Sequence, residues 1–174
     1  MSNLIRSRAG RPDPTTGAPL TRDLVWRTVA RRSFAVLTHV TPAGAPRSSG
    51  IVYTAAADRM FVVVANDSWK ARHIVHDGRV AITVPVRRGG LLSLLFPIPP
   101  ATISFAAEAT VHPGTSVLDS PRLTTLAALV PPERRSASTL IEIRPTGTYV
   151  TYGIGVPLTK MRDTTRSRAR VPVA

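Results

Sequence analysis

Three short stretches of β-strand pattern follow one another closely between residues 33 and 65, and this spacing limits the folds open to the chain. They span residues 33–40, 47–53 and 59–65 and are rich in β-branched and other apolar side chains. The connections between them are short, with the turn-forming Pro42 and Gly44 in the first. A parallel pair needs a crossover of about a dozen residues or more, so strands joined this tightly run antiparallel. The pattern therefore predicts an antiparallel meander.

The rest of the chain continues the mixture of short strands and short helices. Further strand patterns cover residues 79–86, 101–112, 138–144 and 148–152. Helical patterns cover residues 21–31, 68–76 and 121–129, and Thr21 is placed to cap the first of them. Six to seven mostly antiparallel strands with three short helices predict a mainly β fold, a β-barrel that carries its helices at the rims.

The length of the chain predicts one domain, and its charge distribution predicts a basic segment at each end. The 174 residues are enough to bury one sizeable core, and we assign residues 20–155 to a single β-barrel domain. Residues 1–19 are predicted to form a flexible basic arm and residues 156–174 a basic C-terminal tail. Residues 1–32 and 160–174 carry a net +9 of the total +13, and no nucleic-acid-reading motif accompanies this charge, so nucleic-acid binding is disfavoured.

Some strands carry apolar side chains on both faces, which predicts that the outside of the barrel is also buried against another surface. Every side chain along residues 61–64 is apolar, so a barrel that buries one alternate set leaves the other set exposed. The apolar segment at residues 91–96 would likewise be exposed in a monomer. A second copy of the chain would cover both, so we expect a homodimer.

The sequence also predicts neither a membrane span nor export. The most apolar stretch, residues 91–107, is interrupted by prolines and is too short and broken to cross a bilayer as a helix. The first residues are rich in arginine and lack the apolar core of a secretory signal. Because the chain has no cysteine and so no disulfide framework, we expect a cytoplasmic protein.

The third strand pattern stops at a polar turn, after which a short basic helix begins. Asp67 or Ser68 is placed to cap this helix, which leaves backbone N–H groups free at its start. Lys70 and Arg72 stand within the first turn or so, and Trp69 beside them could cover a flat ring. Helix dipole, free donors and cations together predict a phosphate site. The alternative interpretation is an ordinary capped helix with a solvated basic face.

The order of these motifs resembles a known family of flavoproteins. The matching segments are FAVLTHVTPAGAPRSSGIVY, MFVVVANDSWKARHI, DGRVAITV and IEIRPTGTYVTYG. They resemble the flavin (FMN)-binding split β-barrel proteins related to pyridoxamine 5′-phosphate oxidase, including deazaflavin-dependent actinobacterial relatives, over about residues 20–155. The resemblance implies a homodimeric split β-barrel that binds FMN, or alternatively a deazaflavin cofactor, at the dimer interface.

The same resemblance implies a set of cofactor-binding residues. The set is Arg47, Ser48, Ser49, Val64, Ala65, Ser68, Trp69 and Lys70. Within it, Lys70 and Ser68 would contact the cofactor phosphate, and Arg47 would approach that phosphate from the neighbouring strand. A phosphate monoester is well served by a compact cation, a planar guanidinium and backbone donors, so these residue types suit the role.

The remaining residues of the set would surround the ring of the cofactor. Ser48 and Ser49 would line the flavin edge, while Val64 and Ala65 would lie beside the ring or its ribityl chain. Trp69 would either cover the cofactor or pack against the second subunit. A buried ring needs small or apolar walls with a few polar contacts, which these residues supply.

The function that the resemblance implies is a flavin-dependent oxidoreductase that transfers hydride or electrons to or from a small-molecule substrate. No pattern identifies a catalytic side chain, and no metal-site signature surrounds His73 and His76. Tyr53 stands about where the pyridoxamine-phosphate oxidases have a lysine, and the tail lacks their Arg-x-His element, which disfavours vitamin B6 oxidation. The alternatives are a non-catalytic flavin or deazaflavin binding or storage protein and, less favoured, a basic dimer that binds nucleic acid.

Overall fold

The computed structural model, which describes residues 20–87, 100–112, 124, 128, 130–156, 163 and 167–174, contains eight strands and three short helices with defined bounds. The strands are β1 (Phe34–Val40), β2 (Pro46–Val52), β3 (Thr54–Ala56), β4 (Arg59–Ala65), β5 (Arg79–Val86), β6 (Ala101–His112), β7 (Ser138–Tyr152) and β8 (Arg168–Pro172). The helices are α1 (Arg22–Ala30), α2 (Trp69–His76) and α3 (Pro132–Arg135). The mainly β class predicted from the sequence is confirmed.

One curled antiparallel sheet contains all eight strands, in the order β2-β1-β5-β6-β7-β4-β3, with β8 paired to the second half of β7. The antiparallel arrangement is as predicted, but the meander is wrong, because β4 pairs with β7 and not with β2. β2 and β3 lie at opposite ends of this order although only Tyr53 separates them in the chain. The sheet must therefore curl until its two ends meet, which gives the barrel.

The last predicted hairpin is instead one long strand, so the predicted break at residues 145–147 is wrong. β7 runs through Pro145, which has no backbone N–H to donate to a neighbouring strand. Pro145 lies after the last β4 pair, Met60 with Ile143, and before the β8 pairing, which begins at Thr148. Among the described strands, none pairs with this side of β7 at that point, so a missing donor is tolerated there.

The strand β8 lies in the part of the chain that the sequence assigns to a basic tail. All five of its residues pair with β7. Its one buried side chain, Val171, packs in the main core, while Arg168 and Arg170 are exposed. A single apolar anchor among arginines gives too weak an alternation to predict a strand, and the sequence did not predict it.

The inner face of the sheet and helix α1 enclose the main hydrophobic core. Fully buried side chains come from adjacent strands, among them Leu37, Ile82 and Ile103. Helix α1 begins after Thr21, whose side chain accepts a hydrogen bond from the backbone N–H of Leu24, as predicted. The core therefore lies between the curled sheet and a helix that closes one side of it.

Tyr53 ties α1 to the point where the two ends of the sheet meet. The residue is 2% exposed, and its phenol donates a 2.6 Å hydrogen bond to the backbone carbonyl of Val29. Burial raises the pKa of the phenol, so the side chain stays a neutral donor at physiological pH. Tyr53 therefore stabilises the fold by holding helix α1 against the sheet.

The outer face of β4 is covered from within the chain. Phe61 packs with Leu140 and Val130 in a second, smaller hydrophobic cluster. The expectation that a second copy covers this strand is therefore wrong for Phe61, because Val130, just before α3, supplies the cover. The strand is nevertheless buried on both faces over residues 60–62, as its sequence indicates, and it is half-buried at Val63 and Val64.

Two predicted features fall wholly or largely outside the described residues, the apolar segment 91–96 and most of the helix predicted over 121–129. Thr124 and Ala128 within that helix are described, and both are helical. Among the described ranges, no helix combines the length and apolar character needed to cross a bilayer.

Candidate anion and cofactor site

The site predicted from the sequence lies where β1, β2 and the start of α2 come together. β1 and β2 form a hairpin in which His39 and Arg47 are directly opposite each other. Directly opposed residues share one face of a sheet, and β1 buries His39 with Leu37 on the inner face. Helix α2 packs against β1 and contributes Trp69 and Lys70, its first two residues.

Two cations contact a single indole ring in this corner. The Cζ atom of Arg47 and the Nζ atom of Lys70 each lie 5.0 Å from the centroid of the Trp69 ring. This distance is typical of a cation–π interaction, which offsets part of the repulsion between the two charges. Among the described residues, neither cation has a carboxylate within ion-pairing distance. The structure thus brings together three of the expected cofactor-binding residues with their charges unpaired in that part of the chain.

Two histidines pack against the same ring and against each other. The Nε2 atom of His39 lies 3.0 Å from the Nδ1 atom of His73, within hydrogen-bond distance. Their ring centroids lie 5.2 Å and 5.7 Å from the centroid of Trp69. We call His39, Arg47, Trp69, Lys70 and His73 the basic aromatic cluster.

The corner contains two buried polar atoms with unused hydrogen-bonding capacity. His39 is 1% exposed, and its Nδ1 atom has no hydrogen-bond partner within the described ranges. The Oγ atom of Ser49, on the same face of β2 as Arg47, is also buried without a described partner. An unpaired buried polar group costs about 1–3 kcal/mol, so both atoms favour a polar ligand beside them.

The surroundings of His39 favour its neutral form. Burial lowers the pKa of the imidazole below its usual value, and electrostatic repulsion from His73, Arg47 and Lys70 lowers that pKa further. The same repulsion disfavours a metal cation, and no group of three or more metal-binding side chains occurs in the part of the chain that is described. The corner is therefore suited to an anion.

Three other residues of the expected set are placed less directly. Ser48 lies on the opposite face of β2 from Arg47, and its Oγ atom is 2.7 Å from the Oγ1 atom of Thr38. Val64 and Ala65 end strand β4, where Val64 is half-buried and Ala65 exposed. Both pair with β7 and not with β1 or β2. Their connection to the corner is the short turn that joins the end of β4 to the start of α2.

The expected side-chain cap of α2 is not formed, so that prediction is wrong. Ser68 occupies the N-cap position, but its side chain makes no cap hydrogen bond. The turn is held by main-chain oxygens instead, since the N–H of Ser68 donates to Ala65 and the guanidinium of Arg72 donates to the carbonyl of Asp67. The first N–H groups of α2 therefore have no acceptor from a capping side chain.

The pairing of His39 with His73 was missed from the sequence. The local sequence pattern relates His73 only to His76, three residues along the same helix, and His76 is exposed. The signal for His39 was its place in the alternation of β1, on the face that buries Leu37 and at the strand end near Arg47. A histidine on a buried face beside an arginine indicates a polar site, because neither group is buried cheaply.

No protein-family model matches the sequence, and no curated protein sequence matches it significantly. Solved structures do match. One, provisionally named a pyridoxamine 5′-phosphate oxidase from Listeria innocua, has a TM-score of 0.55 at 13% identity, covering 71% of this chain and 92% of that one. An F420 reductase has a TM-score of 0.52 at 18% identity, covering 69% and 91%. The heme storage protein HutZ from Vibrio cholerae has a TM-score of 0.56 at 17% identity, covering 75% and 94%.

These similarities concern the fold. The split β-barrel that the sequence motifs imply is confirmed as the architecture of this chain. The names of the three proteins differ in what they say is bound or done, and one fold commonly carries several functions. The ligand has to be argued from the basic aromatic cluster.

Proposed function

We propose that this chain binds FMN, or alternatively a deazaflavin, and acts as a flavin-dependent oxidoreductase on a small molecule. The observation that carries the proposal is the pair of cations, Arg47 and Lys70, held against the ring of Trp69. A phosphate group is bound best by charge-assisted donors of this kind together with backbone N–H groups. The start of α2 supplies the backbone donors, and the shared fold with an F420 reductase supports a flavin-type ligand.

The unpaired polar atoms of the corner support a ligand that extends beyond its phosphate. Ser49 Oγ and His39 Nδ1 lack partners within the described residues, and both belong to the inner face beside Arg47. The edge of a flavin-type ring offers both donors and acceptors to such atoms. The residues present therefore fit the group that the fold implies.

The proposed contacts involve all eight residues of the expected set. They are the phosphate ligands Arg47, Ser68 and Lys70, the covering Trp69, the edge residues Ser48 and Ser49, and the ring neighbours Val64 and Ala65. When bound, the ring of the cofactor supplies the hydride or electron transfer. The side chains bind it, orient it and keep water from one side of it. Ser48 lies on the outer face of the sheet, so its contact belongs to a site that a second copy of the chain completes.

We also propose that the outer face of the sheet is the interface of a homodimer. The centre of that face carries small, apolar or hydroxyl-bearing side chains: Val36, Thr38, Ala81, Thr83, Ser104 and Val150. At its edge Phe34 and Val52 are directly opposed and remain 49% and 58% exposed. Charged residues of the same face, such as Arg79, Glu108 and Arg170, lie around this centre. An uncharged centre with exposed large apolar side chains is typical of a subunit interface, and a second copy would bury it.

Val150→Arg should convert the dimer to a monomer. The new guanidinium would face the Arg170 of strand β8 and would be buried in the interface without a counter-ion. Size-exclusion chromatography with light scattering measures the change. Val75→Arg adds the same charge on α2 at a residue that is 71% exposed, and it should leave the dimer intact. A wild-type protein that is monomeric at micromolar concentration would contradict the proposed interface.

Titration of the purified protein with FMN and with the deazaflavin F420, followed by visible absorption, tests the proposed cofactor. We expect one of the two to bind with a dissociation constant below about 100 μM, which corresponds to roughly 5–6 kcal/mol of affinity. Failure of both to bind would refute the proposal. Reduction of the bound cofactor by a nicotinamide donor or a coupled system, followed by transfer to a small molecule, would support the oxidoreductase.

The second candidate function is non-catalytic binding or storage of the flavin or deazaflavin. The shared fold with a heme storage protein favours it, because that protein is named for holding a ligand. Cofactor binding without reduction by any donor would select this function over the enzyme. A cytoplasmic location is part of either proposal.

A further inference from the structure

The hydrogen bond between His39 and His73 restricts where protons sit in the basic aromatic cluster. The Nε2 atom of His39 and the Nδ1 atom of His73 are 3.0 Å apart, so one hydrogen lies between them. In the neutral pair each ring carries one N–H group. His39 therefore either donates through Nε2 and keeps Nδ1 bare, or accepts at Nε2 and carries its hydrogen on Nδ1.

Addition of one proton to the pair removes this ambiguity. If the added charge is on His39, both of its nitrogens carry hydrogen. If the charge is on His73, the Nδ1 atom of that ring donates to His39, whose own hydrogen must then be on Nδ1. In both cases the buried Nδ1 atom of His39, which has no described partner, becomes an N–H donor. A buried donor beside positive charge favours a nearby anion.

The charges around His39 oppose its protonation until an anion arrives. Strand β2 places Arg47 directly opposite His39, and α2 places Lys70 on the Trp69 ring. Strand β5 presents the apolar Val80 opposite His39, and no carboxylate within the described ranges acts on this imidazole. Burial, the adjoining imidazole and the two cations together lower its pKa. A dianion at the two cations would cancel their combined charge and so remove most of the repulsion that acts on the imidazole.

We propose that the His39–His73 pair is a proton-binding element of the anion site and takes up one proton when a dianionic phosphate group binds at Arg47 and Lys70. This deepens the proposed function and rests on it, because the phosphate of FMN is the anion in question. The proton, drawn from solvent, adds a third positive charge to the two fixed ones and makes the Nδ1 atom of His39 a donor. Binding of a dianion is thereby linked to proton uptake.

Linkage gives the direction of the effect. Affinity for a dianion rises as pH falls through the interval in which the free pair is neutral and the occupied pair is charged. A dianion at roughly 6 Å in a water-like dielectric shifts a pKa by roughly one unit. The corresponding change in affinity is about tenfold across the interval.

Sulfate tests the pair without any flavin, because sulfate keeps two negative charges over the pH range in which histidine titrates. The ring signals of ¹⁵N-histidine-labelled protein are followed from about pH 5 to pH 8 in sodium sulfate and in sodium chloride of equal ionic strength. His39→Gln and His73→Gln assign the signals. We expect sulfate to raise the pKa of the pair by roughly one unit and Lys70→Ala to remove most of this shift. Identical titrations in the two salts overturn the proposal.

FMN then separates this inference from the proposed function. Calorimetry at about pH 6.5, in two buffers of different ionisation enthalpy, counts the protons taken up for each FMN bound. The phosphate of FMN contributes equally to the wild type and to His73→Gln, so their difference isolates the pair. We expect the wild type to take up roughly half a proton more. The half-buried His73 is the safer position to vary, since His39→Gln alters a buried residue.

The two measurements give distinguishable outcomes. FMN binding with equal proton uptake in the wild type and His73→Gln overturns the linkage and leaves the flavin proposal standing. A sulfate-dependent rise in the pKa of the pair without binding of either FMN or F420 supports the linked anion site and overturns the flavin proposal.

Discussion

Lys70→Ala weakens FMN binding by about 1.5–3 kcal/mol, a loss of roughly 10- to 150-fold in affinity. The reason is that this ammonium and the guanidinium of Arg47 are the two charges held at the Trp69 ring, and Lys70 has no ion-pair partner among the described residues. Its loss removes one of the charge-assisted contacts to a phosphate and leaves the fold of α2 intact. Fluorescence quenching of FMN on titration with the protein measures the change.

Arg72→Ala is the matched control for this prediction. Arg72 lies two residues further along α2, but its guanidinium is bound to the carbonyl of Asp67 rather than held at the indole ring. Its loss removes one positive charge from the same helix and should change FMN affinity by less than about 0.5 kcal/mol. Equal affinities for Lys70→Ala and the wild type would remove α2 from the cofactor site.

Ile82→Ala lowers the free energy of unfolding by about 2–5 kcal/mol. Ile82 is fully buried at the centre of the sheet, where β5 places it directly opposite Leu37 of β1 and Phe105 of β6. Truncation leaves a cavity between three strands that are fixed by their own hydrogen bonds, so little of the volume can close. Urea denaturation followed by circular dichroism measures the loss, which should appear as a lower midpoint with an unchanged slope.

The control for Ile82 is Val75→Ala. Val75 is an aliphatic residue on α2 that is 71% exposed, so its truncation should change stability by no more than about 0.5 kcal/mol. Ile82→Val should fall between the two, at about 0.5–1.5 kcal/mol. A cost below about 1 kcal/mol for Ile82→Ala would mean that the centre of the sheet is not packed as described.

Local pattern was enough to predict most strands but not their order. The alternation of β1 and the apolar run of β4 follow from side-chain period, which depends only on neighbouring residues. The pairing of β4 with β7 depends on contacts across more than seventy residues, and short connections pointed instead to β2. Strand β8 was not predicted for a different reason. It has one buried valine, Val171, and a single apolar residue gives no alternation from which to predict a strand.

In the candidate site too, local motifs predicted some residues, while contacts between distant segments could not be predicted. Arg47 and Lys70 were expected on motif grounds, and the structure holds both at one indole ring. The link between His39 and His73 joins a strand to a helix 34 positions away, and no local pattern encodes such a contact. The face on which Ser48 lies became clear only from the register of the β1–β2 hairpin.

The pairing of β4 with β7 also determines when the barrel can form during synthesis. Val62 lies opposite Ile141, so β4 leaves the ribosome long before its neighbour exists. Until then its apolar side chains lack both the adjoining strand and the cover that Leu140 and Val130 give to Phe61. Sheets closed by such distant segments fold slowly and expose unpaired edges meanwhile. A nascent chain that stops before β7 is therefore a substrate for chaperones or proteases rather than a partly working protein.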